Sequence, residues 1–268
     1  MGFPGIVSIS PGGELTQSAN KTFALGTPGI TPDGRRFRYS KAGEALSVGI
    51  PCQAAAGLGG LEFDTNAKLV TSITTYGTTA NYLRVSTTWG SIGGSTGATK
   101  DLFKDGYCWI SGSTGGQLLR VKTNTTGSSG TAAQYTDIKF REGERLTGAI
   151  DTSTLLAITR SPYDGVIEFD GLATQTGLDV GVPPRDITSA YYFWLQTGGV
   201  CPLMTDGTVV LGEQVSATTN TGIQGVTPLV ISSTAGAIAF ESVRRQPIGT
   251  VIQVYADTKF SLVNLRLD

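Results

Sequence analysis

Apolar residues along this chain come in short runs, divided by clusters of glycine, serine, threonine, asparagine and aspartate. That spacing predicts short β-strands joined by tight turns, because each of those small residues relieves or fixes the backbone where the chain reverses. Between residues 68 and 184 the predicted strands are 69–75, 82–88, 107–111, 118–123, 135–140, 154–159 and 165–169. Asp105-Gly106 is a hairpin-type turn signal. No helix-length window shows an apolar stripe at the 3.6-residue period.

The most apolar part follows Pro183-Pro184. Residues 190–195 (AYYFWL) predict a strand, Gly198-Gly199 a turn, 200–204 a second strand, Asp206-Gly207 another turn and 208–211 a third strand. Together they predict a β-meander. Strands over 228–232, 238–241, 248–255 and 260–267 complete the series. In the last, Val263, Leu265 and Leu267 share one face, and Asn264, Arg266 and Asp268 the other. The chain therefore ends inside a strand, which predicts a docked C-terminus.

Residues 1–66 break this rhythm. Pro4, Pro11, Pro28, Pro32 and Pro51 lie here, and proline fixes φ and holds its predecessor out of the helical region. An extended, turn-rich arm is expected, with a short helical turn over AGEAL, residues 42–46. The arm holds a basic cluster in which charge and aromatics alternate: Arg35, Arg36, Phe37, Arg38, Tyr39, then Lys41. On a strand Phe37 and Tyr39 share one face and Arg36 and Arg38 the other. Two readings stand: an arm whose aromatics bury on a neighbouring subunit while its arginines pair with carboxylates, or an edge strand of the domain's own sheet. The expected fold is all-β. It comprises the extended arm (1–66), a central β domain (67–185) and a C-terminal β module (186–268), as sandwich or barrel-like modules. With the arm dispensable to the core, removing residues 1–40 is expected to leave a folded protein.

Composition narrows the function. The chain has no histidine, the usual general base near neutral pH. Its net charge is -1 and charged residues make up 15%, so no basic field exists to hold nucleic acid. The start, MGFPGIVSISPGG, has neither a basic region nor an apolar core, which predicts no secretory signal and synthesis in a cytoplasm. No apolar run is long enough for a membrane span. Cys52, Cys108 and Cys201 are too far apart for a zinc site and are expected to be buried thiols. Asn20 and Asn124 match the N-glycosylation pattern, which has no meaning without secretion. No cofactor or metal is expected.

Chemistry-bearing patterns are sparse. Gly93-Gly94-Ser95-Thr96-Gly97 matches the nucleophile-elbow pattern, but no histidine exists to serve as its base. Glu168 and Asp170 would share a strand face roughly 6–7 Å apart, a separation glycosidases use. Asp164-Gly165 and Asp170-Gly171 are also turn signals, and Glu62 and Asp64 repeat the same spacing, so the pair reads first as turn chemistry. Arg244-Arg245 is a second basic spot, and Tyr76, Tyr82 and Trp89 are aromatics near loops that would suit sugar stacking.

Three stretches resemble small structural proteins encoded beside the major capsid protein of tailed bacteriophages. They are TPDGRRFRYSKAGEAL (31–46), AYYFWLQTGGVCPLMTDGTVVLGEQV (190–215) and IGTVIQVYADTKFSLVNLRLD (248–268). DLFKDGYCWISGSTGGQLLRVKTN (101–124) resembles the same group more loosely. The resemblance implies a non-enzymatic virion protein, a capsid decoration or cement protein on the capsid surface. Its implied partners are the major capsid protein and further copies of itself, a trimer first. The arm residues Arg35, Arg36, Phe37, Arg38 and Tyr39 are the expected capsid or inter-subunit contact. Tyr191, Tyr192, Phe193, Trp194 and Leu195 are expected in the core or the oligomer interface. Alternatives from other classes are a fibre or adhesin module binding host glycans and a glycan hydrolase using Glu168 and Asp170.

Overall fold

The computed structural model describes residues 5–55, 79–86, 99–112, 115–126, 135–148, 155–169, 177–218, 224–229, 233–234, 237–238 and 246–268. Two compact units form, one from residues 56–161 and the other from residues 2–55 together with 162–268. The architecture is all-β. Among the described residues the one helical element is a 3-10 turn at Gly13–Leu15.

The first part of the chain contributes β1 (Val7–Ser8), β2 (Gln17–Ser18), β3 (Pro28–Ile30), β4 (Arg36–Ala42) and β5 (Cys52–Gln53). The middle contributes β6 (Tyr82–Ser86), β7 (Tyr107–Gly112), β8 (Gly115–Asn124), β9 (Tyr135–Phe140) and β10 (Leu155–Thr159). The remainder supplies β11 (Asp164–Glu168), β12 (Asp179–Gly181), β13 (Tyr192–Met204), β14 (Gln214–Ala217), β15 (Val226–Pro228), β16 (Ser233–Thr234), β17 (Ala237–Ile238), β18 (Gly249–Gln253) and β19 (Phe260–Arg266).

The middle unit is an antiparallel sheet in the order β10-β7-β8-β9-β6. Alternation sets its faces: Cys108 and Ile110 turn inward to Leu119, Val121, Ile138 and Ile158, while Trp109 and Leu118 stand opposite each other on the outside. Asn124 is buried and saturated. Its Nδ2 donates to the carbonyls of Thr99 and Thr125, and its Oδ1 accepts from the Phe103 N–H. Its amide is therefore no glycan acceptor.

The other unit is organised on β13. The sheet runs β12-β5-β11-β4-β13-β19-β18-β14-β15, with β3 beside β4, β1 beside β3, and β2 beside β13. β13 pairs with β4 through its first half and with β19 through its second. Both ends of the sheet curl back to it. On one side Val182, just past β12, exchanges two 2.9 Å backbone hydrogen bonds with Gln196. On the other, Val226 of β15 bridges Thr205, and its carbonyl accepts from the Asp206 N–H at 2.8 Å. Inside the second curl Cys201, Leu203, Val215, Val226, Ile248, Val251, Val263 and Leu265 form one buried cluster.

Three local expectations are corrected. The predicted meander does not form, because Gly198-Gly199 is no turn: β13 runs through it as one strand of 13 residues. The pair supplies a bulge, with Gly199 at φ 84 and a register shift against β4 between Gln196 and Gly198. The strand bends there as it passes from one curl to the other. Residues 208–211 form no strand, and the next one starts at Gln214. AGEAL forms no helical turn, since Leu46 instead bridges Ile187 in an extended pair.

Residues 5–55, set apart by their prolines as an arm, lie within this unit. β4 has β13 along one side, and β3 then β11 along the other. It is an interior strand because Phe37 and Tyr39 find their apolar environment in the chain's own core.

Candidate contact surface

The residues singled out in the sequence converge on β4 and β13. Phe37 and Tyr39 point inward and are buried, joined by Ile9, Leu25 and Trp194. Four aromatic rings interlock there. Tyr39 meets Trp194 edge-on at 5.2 Å and Phe23 at 5.3 Å, and stacks on Tyr192 at 6.0 Å. The Tyr39 hydroxyl accepts from the Thr22 N–H at 3.0 Å, so its polar end is satisfied. Of the aromatic run on β13, Phe193, Trp194 and Leu195 are buried within the unit. Tyr191 and Tyr192 are half-buried, with the Lys41 ammonium 5.8 Å from the Tyr192 ring.

The arginines take carboxylate partners from this same chain. Arg35 donates from Nη2 to Glu14 Oε1 at 2.9 Å and from Nε to Asp33 Oδ2 at 2.7 Å, and it lies over the Phe37 ring. Arg38 grips Asp268 with two bonds, Nε to Oδ2 at 2.6 Å and Nη2 to Oδ1 at 2.9 Å, while Nη1 donates to the Gly26 carbonyl. The Thr197 hydroxyl also donates to Asp268 Oδ2. The Thr31 hydroxyl and then the Arg35 guanidinium hold the Asp33 carboxyl at about 2. For Asp268, burial pulls the carboxyl upward, but the bonds from Arg38 and Thr197 outweigh it and leave it below its ordinary value. Arg36 differs. Its side chain is exposed and lies over Gly198; Nη1 donates to the Asp268 main-chain oxygen at 3.4 Å, and its charge helps to lower the Asp268 carboxyl.

The remaining candidates separate. Glu168 is buried and accepts from the Ser47 N–H and from Gln224 Nε2 at 2.6 Å, so it ties two loops to β11. Asp170, Glu62, Asp64, Tyr76, Trp89, Arg244, Arg245 and the GGSTG stretch lie outside the described residues. Cys52, Cys108 and Cys201 are free and buried. Burial pushes their thiols up, Cys201 to about 12, and for Cys52 the carboxylates of Glu168, Glu44 and Asp179 add to it. Among the described residues no His, Cys, Asp and Glu side chains gather as a metal-holding group, and no helix is long and apolar enough to cross a membrane. The residue missed in the sequence is Asp268, which lies 230 positions from its partner Arg38. The alternation at the chain's end marked its face but not its partner.

A scan against known protein families finds no match to this chain, and searches of curated proteins and of solved structures find none either.

Proposed function

We propose that this chain is a non-enzymatic virion structural protein, a decoration protein that stabilises the head of a tailed bacteriophage by binding across capsomers. One observation carries the reading. The three stretches that resemble phage head proteins are far apart in sequence, yet they supply consecutive neighbours in one sheet, β4-β13-β19-β18-β14. The likeness is thus to one continuous piece of architecture, whose inward side chains are spent on packing and whose Arg38 and Asp268 pair within the chain. A cement protein needs that: a rigid body whose free energy of binding goes to its neighbours rather than to its own ordering. The proposed partner is the major capsid protein, and assembly of copies as trimers on the capsid surface belongs to the same reading.

Expanded shells that lack this protein test the proposal. A ligand that binds the assembled shell but not its dissociated subunits must raise the temperature at which the shell comes apart. Added protein is expected to raise that temperature in a saturable way. An unchanged temperature at saturating protein would count against the reading.

A further inference from the structure

The chain leaves for the middle unit and returns from it at neighbouring strands. β5 ends at Gln53, just before that unit begins at residue 56, and β11 starts at Asp164, just after it ends at residue 161. β5 and β11 are antiparallel and hydrogen-bonded, with Gln53 opposite Ile167 and Cys52 opposite Glu168. The chain is pinned on both sides of the excursion by the unit it leaves. The Ala54 N–H donates to the Leu178 carbonyl at 2.8 Å, and the Tyr163 carbonyl accepts from the Lys41 N–H at 2.9 Å. In topology, residues 56–161 therefore interrupt two paired strands that a short turn would otherwise join.

Each unit also has its own sheet and its own core. β6 to β10 pair among themselves, and β13 and its neighbours pair among themselves. Cys108, Ile110, Leu119, Val121, Ile138 and Ile158 pack together in the middle unit. The clusters around Phe37 and around Leu203 draw on residues before 56 and after 161. A unit that owns its ladder and its apolar burial can open without removing either from its neighbour in sequence. The three stretches that resemble phage head proteins, 31–46, 190–215 and 248–268, all fall outside 56–161, and the looser one, 101–124, falls inside it.

We infer that residues 56–161 are an inserted domain that folds and unfolds on its own, and that the other unit alone attaches the protein to the capsid shell. The second half of this inference rests on the function proposed above. The inserted domain is then dispensable for attachment, and the β5–β11 junction is a point at which the chain tolerates a different insert.

The three tryptophans read the test in the full-length protein. Trp194 is buried in the unit built on β13, and Trp89 and Trp109 belong to 56–161. Trp89→Phe with Trp109→Phe leaves Trp194 alone to follow melting by fluorescence, and Trp194→Phe leaves the other two. Ile138 lies in the core of the middle unit and Ile248 in that of the other. Ile138→Ala is expected to lower the middle unit's transition by at least about 8 °C and to leave the Trp194 transition in place. Ile248→Ala is expected to do the reverse, lowering the Trp194 transition by at least about 4 °C. Should Ile138→Ala unfold the middle unit outright, an unmoved Trp194 transition is still expected. Co-sedimentation with shells lacking this protein reads attachment. With only its middle unit unfolded, the Ile138→Ala protein is expected to bind as wild type does. A single transition, seen alike by both sets of tryptophans and shifted by either substitution, would overturn the inference. Loss of shell binding by Ile138→Ala with the Trp194 transition unmoved would overturn it too, and would leave the proposed function standing. Failure of wild type to bind would overturn the proposed function and, with it, the assignment of the shell contact.

Discussion

At the scale of single residues, Arg38 and Asp268 join the two ends of the sequence. Their contact is bidentate and half-shielded, and Thr197 adds a third bond. The Asp268 carboxyl lies below its ordinary 3.8 in the folded chain. A carboxyl depressed by folding stabilises the fold at pH values above its unfolded pKa, and that contribution fades as pH falls through the folded value. Asp33, held at about 2 by Thr31 and Arg35, has the same sign. Stability is therefore expected to fall as pH drops from about 4 toward 2. Asp268→Asn is expected to cost no more than about 1 kcal/mol near neutral pH, since solvent screens a half-exposed pair. Its melting temperature should approach that of wild type at pH 2. A constant gap between the two chains from pH 7 to pH 2 would contradict the assignment. The alternation that puts Phe37 and Tyr39 on one face and Arg36 and Arg38 on the other was legible in the sequence, because a strand's period of two is a local property. That Arg38 pairs with Asp268 was not, because nothing local links positions so far apart.

At the scale of elements, β13 and the two contacts that return to it define the sheet. Each closure is made beside a glycine. A Cβ on Gly181 would lie 2.6 Å from the Gln196 carbonyl oxygen, and one on Gly225 would lie 2.7 Å from that of Met204. Both have positive φ, 154 and 150. Backbone cannot move aside as a flexible side chain does, so Gly181→Ala and Gly225→Ala are each expected to destabilise by about 2–3 kcal/mol. Gly207→Ala is the comparison, because a Cβ there meets nothing within 4 Å and the cost is that of its φ alone. Denaturant melts decide it, and equal losses at all three positions would argue against close approach as the cause. The same glycines explain where sequence pattern misleads. Gly198-Gly199 looks like a hairpin turn, yet a bulge demands the same freedom at φ > 0, and the pairing partner alone tells them apart. Residues 208–211 carry Val209 and Val210, good strand formers, but pairing with β18 starts later, at Gln214. By contrast β9, β11 and β19 stand within one residue of their predicted bounds, since each is a short stretch of strand-forming residues set off by turn signals or by the change of pattern around it.

At the scale of the whole molecule, the N-terminal segment is what its prolines concealed. The prolines of residues 1–66 argued for extended, turn-rich chain but did not distinguish an arm from sheet. β4 is flanked on both sides, and Phe37, Tyr39 and Trp194 fill one core. Deleting residues 1–42 removes that strand and its aromatics, and is expected to abolish the native near-ultraviolet circular dichroism of this unit. A truncated chain that keeps that signal and melts cooperatively would restore the independent arm. The all-β class was legible from turn spacing alone. The pairing of residues 2–55 with 162–268, across the unit that lies between them in sequence, was not, because no local pattern encodes a long-range contact. The resemblance to phage head proteins acquires its meaning at this scale, where its three segments become neighbours.

The central claim is that this chain is a structural component of a phage head, and stoichiometry tests it most directly. Purified protein titrated onto expanded shells that lack it, then sedimented, is expected to bind saturably at a fixed ratio to the major capsid protein. Protein that stays in the supernatant at every concentration would contradict the account.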